Sequence, residues 1–94
     1  MNNKIALSSL SMDLKRIALA IHKGSQTTAE KFSAEAQKRI SEIDSKTLAP
    51  YMQKIILRVT NNLSKPKNQK IAEDFLMYST LIQNYCLEKK SDNF

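Results

Sequence analysis

The sequence predicts an all-α fold, a four-helix, antiparallel up-down bundle. Three observations predict it. The 94 residues include one glycine and two prolines, too few for a turn-rich β fold. Apolar residues recur at spacings of three and four in four successive segments, and no run alternates with period two. The connections between those segments are short, which favours antiparallel neighbours. A chain of this length forms one domain, assigned to residues 1–90, with residues 91–94 expected to fray as a tail.

The first helix is expected over about residues 4–23. Leu7, Leu10, Leu14, Ile17 and Ile21 share one stripe. Gly24 follows at once and suits a left-handed position closing the helix. His22 and Lys23 fall in its last turn, where positive charge complements the macrodipole. The second helix is expected to open on a capping box, Thr27 with Glu30. Its stripe is Ala29, Phe32, Ala36, Ile40 and Ile43. Glu35–Arg39 and Lys38–Glu42 decorate its outside at the four-residue spacing.

A turn at Asp44-Ser45-Lys46-Thr47 leads into the third helix, with Thr47 as the expected N-cap and Pro50 in the first turn, where its missing N–H is harmless. Leu48, Met52, Ile55, Ile56, Val59 and Leu63 line one arc. The helix is expected to end near Asn61-Asn62, before the loop Ser64-Lys65-Pro66-Lys67-Asn68. The fourth helix, about residues 68–90, carries Ile71, Phe75, Tyr78, Ile82 and Tyr85 at alternating spacings of four and three. Leu14, Ile17, Phe32, Ile40, Ile55, Val59, Phe75, Tyr78 and Ile82 are the expected core.

Two of the helices carry more apolar surface than one core uses. On the first, Ile5, Met12 and Leu19 form a second line, spaced seven apart and roughly opposite the main stripe. On the fourth, Leu76 and Leu87 lie on one flank, Met77 and Leu81 on the other. Contiguous exposed apolar residues mark contacts with other molecules. These seven side chains form the expected association surface, facing a second copy or another protein.

Charge is distributed as unevenly as apolar surface. The formal net charge is +6. Lys46, Lys54, Arg58, Lys65, Lys67 and Lys70 all lie between Ser45 and Ala72, a stretch without Asp or Glu, and the remainder of the chain is balanced. A localised excess says where a negatively charged partner would sit. Those six residues are the candidate basic ridge. Arg58 is its only arginine and Tyr51 its only aromatic neighbour, a poor set for reading bases or stacking single strands.

No catalytic motif stands out. One glycine excludes a glycine-rich phosphate loop, and one histidine with one cysteine offers no metal-ligand cluster. Cys86 lies in an apolar run and reads as a small core residue, as expected in a cytoplasmic protein. The longest apolar run, Ile17 to Ile21, is far below the ~20 residues that span a membrane. The expectation is a non-enzymatic helical interaction module with no cofactor. It associates through its first and fourth helices and presents the basic ridge to an acidic partner. The alternative is an accessory protein binding RNA or DNA backbone through the same ridge.

Overall fold

The computed structural model describes residues 3–88. Four helices, α1 (Asn3–His22), α2 (Gln26–Ser41), α3 (Pro50–Leu63) and α4 (Gln69–Glu88), are joined by short connections, with a 3-10 turn over Ser45–Thr47. No strand occurs among the described residues, so the fold is all-α. Residues 89 and 90, expected to end the fourth helix, and the expected tail 91–94 lie outside the described residues.

Helix boundaries follow local chemistry. α1 closes in a Schellman motif: Ser25 N–H donates to the Ala20 carbonyl at 2.8 Å and Gly24 N–H to that of Ile21 at 3.0 Å. Gly24 sits at φ 75°, as this closure requires. The capping box expected at Thr27 and Glu30 does not form. Ser25 caps α2 instead, its hydroxyl accepting from Thr28 N–H, because the helix starts directly out of the Schellman turn. Thr47 does not cap α3 either. It belongs to the 3-10 turn, whose cap is Asp44, and α3 begins from Ala49 with Pro50 in its first turn and no side-chain cap. Leu48 is buried but lies before α3, and α3 runs on to Leu63. Asn68 accepts from Ile71 N–H at 3.0 Å and starts α4.

α1 is the central element, packed along its length against α2 on one side and α4 on the other, whereas α3 meets α2 and α4 more sparsely. Small residues line the α1 contacts. Ala29, Ser33 and Ala36 of α2 are all buried. Ser11 and Ser79 are buried where α1 meets α4, and each hydroxyl donates to the other's carbonyl, at 3.1 and 2.8 Å. Small side chains let helix axes approach closely. That approach shifts the α2 stripe: Phe32 and Ile40, expected in the core, sit half-buried at its edge, as does Ile55 of α3. Leu14, Ile17, Val59, Phe75, Tyr78 and Ile82 are buried as expected.

Hydrogen bonds tie the connections together at two ends. The Asn3 side chain donates to the Asp44 carbonyl and the Thr47 hydroxyl and accepts from Asp44 N–H. Nearby, the Tyr85 hydroxyl accepts from Ala49 N–H at 3.1 Å. At the other end Gln26, opening α2, donates to the Lys67 carbonyl in the α3–α4 loop.

Candidate interaction surfaces

The second apolar line of α1 is on the surface. Ile5, Met12 and Leu19 are each about half exposed, and so are Met77 and Leu81 of α4. Leu76 is 38% exposed and Leu87 77%. At ~100° per residue, Ser79 and Cys86 fix the α4 flank that meets α1, and Leu76 and Leu87 lie just outside it. Met12 and Leu87 line one groove of about 190 Å³ between the two helices, with Ser8, Ser11 and Gln83. Met12 also lines the cleft toward α2, and Leu19 lines a groove with Ser25, Thr28 and Phe32, so the second line of α1 runs between its two neighbours and, among the described residues of this set, only Met12 and Leu87 share a groove with each other. Met77 and Leu81 lie on the other flank of α4. Polar groups of α1 and α4 are mutually satisfied in part: Lys15 Nζ donates to Gln83 Oε1 at 3.2 Å.

The basic segment is spread along the molecule. Lys54 and Arg58 are one turn apart on the outer side of α3, both exposed. Lys46 lies in the 3-10 turn before α3, at the Asn3 end, while Lys65, Lys67 and Lys70 lie beyond the other end of α3. Lys46, Lys54, Arg58, Lys65 and Lys70 form no ion pair among the described residues. Lys67 differs from them. Its ammonium donates to the carbonyls of Leu63 at 2.7 Å and Lys65 at 2.8 Å, closing the end of α3, and burial lowers its pKa. Two polar neighbours of the ridge are committed as well, since Asn62 is buried and Asn68 caps α4.

A shallow groove of about 450 Å³ follows α3 on this side, lined by Pro50, Gln53, Lys54, Ile56, Leu57 and Thr60, with Ser45 at its end. Leu57 is 62% exposed within it.

A third feature is a charged cleft of about 390 Å³ between α1 and α2. Asp13 is buried there, 3.3 Å from Arg16. Burial raises the Asp13 pKa, and the hydrogen bond from Arg16 opposes it. The Arg16 guanidinium lies 5.5 Å from the Phe32 ring centroid, a cation–π distance. Arg39 pairs with Glu42 at 2.6 Å and Glu35 at 3.9 Å. Asp13 pairs with Arg16 and Glu35 with Arg39 within the cleft, and Lys31 also lines it. Sequence periodicity gives no sign of it, because Asp13 belongs to no apolar stripe; only the three-residue spacing to Arg16 hints at the pair.

Cys86 is a buried free thiol whose pKa is raised by burial, an unreactive state. His22 is exposed in the last turn of α1. Among the described residues no His, Cys, Asp or Glu group is placed to hold a metal ion, and no helix is long and apolar enough to cross a membrane. Comparison with protein-family models, with curated proteins and with solved structures finds no match for this chain, so its function is read from its own surfaces.

Proposed function

We propose that this chain is a small non-enzymatic interaction module of the cytoplasm. It self-associates through α1 and α4 and presents its basic segment to an acidic partner. The observation that carries the reading is that Ile5, Met12, Leu19, Leu76 and Leu87, all large apolar side chains, are exposed on α1 and α4. Charge supports a second copy as the occupant. A chain of net charge +6 repels itself. The excess lies on and around α3, however, and α1 packs between α2 and α4. Association through α1 and α4 keeps the basic segments of two copies off the contact. The buried, free Cys86 fits a reducing compartment.

Sedimentation velocity over a range of concentration and salt tests the reading. The expected result is reversible association that persists at high salt, since an apolar interface is not screened. A monomer at every concentration would remove self-association. A complex that dissolves with salt would assign the contact to the charges. The second reading, non-specific binding of RNA or DNA backbone, is favoured by the five cations without ion pairs. It requires affinity that falls steeply with salt.

A further inference from the structure

We infer that the groove along α3 is the docking site for an acidic amphipathic helix of a partner protein, with Leu57 as its apolar anchor and Lys54 and Arg58 as its charged rim. The inference rests on the reading of the basic segment as a surface for an acidic partner, and names how that partner is held. Three features of the groove point to it. Its lining is largely apolar: Pro50, Leu57 and the edge of the buried Ile56 present carbon to whatever lies there. Its rim is cationic: Lys54 lines it, Arg58 follows one turn on, and neither has an ion pair among the described residues. No acidic residue lies between Ser45 and Ala72 to compete for these cations.

The shape selects a helix. Pro50, Gln53, Leu57 and Thr60 follow one another at spacings of three and four, a ridge with a groove beside it, the geometry into which a second helix packs. From Pro50 to Thr60 the ridge runs about 15 Å at 1.5 Å per residue, the length of about three helical turns. Nucleic acid fits less well. Phosphates find cations at the rim but nothing on the apolar lining, and Leu57 would stay uncovered. The one aromatic on α3, Tyr51, makes an edge contact with Tyr85, with ring centroids 5.7 Å apart. It offers a single ring, where single-strand binders stack successive bases on several.

The test uses the full chain and a fluorescein-labelled synthetic peptide of roughly 14 residues, with leucine at a three-four repeat and glutamate on both flanks. The controls are the same peptide with its order scrambled, polyglutamate of equal charge, and a single-stranded oligonucleotide of equal charge. Fluorescence anisotropy at low salt is the readout. The expected result is that the amphipathic peptide binds at least about tenfold tighter than each control, and that Leu57→Ala, Leu57→Gln and Lys54→Glu each weaken it about tenfold with helicity unchanged. Equal binding of polyglutamate or the scrambled peptide overturns the groove and leaves the ridge as a surface that reads charge alone. Tighter binding of the oligonucleotide, unaffected by Leu57→Ala, assigns the segment to nucleic acid. Peptide binding lost through Leu19→Glu but not through Leu57→Ala moves the site to α1 and overturns the inference. No binding by any probe removes both the groove and the docking role of the basic segment.

Discussion

Ser11 and Ser79 are buried in the α1–α4 contact, where each hydroxyl is satisfied by the opposite backbone. Ser79→Leu should therefore cost about 1–3 kcal/mol, read as a lowered urea midpoint, because the added carbon forces the helices apart. Phe75→Ala, at a fully buried site, should cost about 3–5 kcal/mol in the same measurement. Asp13 behaves differently, since burial lifts its carboxyl above the ordinary 3.8 while Arg16 pulls it down. The folded chain thus holds that proton more tightly than the unfolded one. The resulting stability is present below 3.8 and lost as pH rises through the folded value. Relative to Asp13→Asn, wild type should gain stability as the pH is lowered from neutrality toward 3.8. Unchanged relative midpoints over that window would show that the Arg16 bond cancels the burial. None of these three polar side chains was legible in the apolar pattern. A pattern search assigns Ser and Asp to the surface, whereas here the close approach of α1 to its neighbours buries them.

Each helix was legible because its stripe repeats over three or more turns, and the end of α1 was legible because the chain has one glycine and it falls there. Gly24→Ala should cost about 1–2 kcal/mol in thermal or urea unfolding. A Cβ at that site meets nothing within 4 Å, so the loss is that of the positive φ alone. Starts were harder to read than ends. Thr27 has the right partner in Glu30, yet Ser25 caps α2 because the Schellman turn delivers the chain there. Thr47 has the right side chain, yet its hydroxyl donates to the Asp44 carbonyl within the 3-10 turn and accepts from Asn3, a tertiary contact from 44 residues away. α3 begins without a side-chain cap and has the sparsest neighbours. Its amides should accordingly exchange with solvent before those of α1, by native-state hydrogen exchange. Uniform protection across the four helices would contradict that ordering.

Over the whole molecule, the excess charge is concentrated in one region while exposed apolar side chains occur on α1, α4 and, at Leu57, α3. α1 and α4 carry exposed leucines and methionines, and α3 with its flanking turns carries the excess cations. The surplus apolar lines were legible because they repeat at helical spacing away from the main stripe, and they are exposed. Their division on α4, Leu76 and Leu87 on one flank and Met77 and Leu81 on the other, was legible; which flank lies beside α1 was not, and the contacts of Ser79 and Cys86 with α1 decide it. Lys67 left the ridge for a similar reason, drawn inward by the carbonyls at the end of α3. Both depend on how the helices are rotated against one another, which a single helix's periodicity does not contain. The chain is expected to associate through α1 and α4 while its basic segment, residues 46–70, stays outside the contact. Multi-angle light scattering of wild type, Leu19→Glu with Leu76→Glu, and Lys54→Glu with Arg58→Glu tests it most directly. Wild type and the charge-reversal variant should share a mass above that of one chain, and the leucine variant should fall to monomer with its helicity intact. A leucine variant that keeps the wild-type mass, or a wild type that is already monomeric, would contradict it.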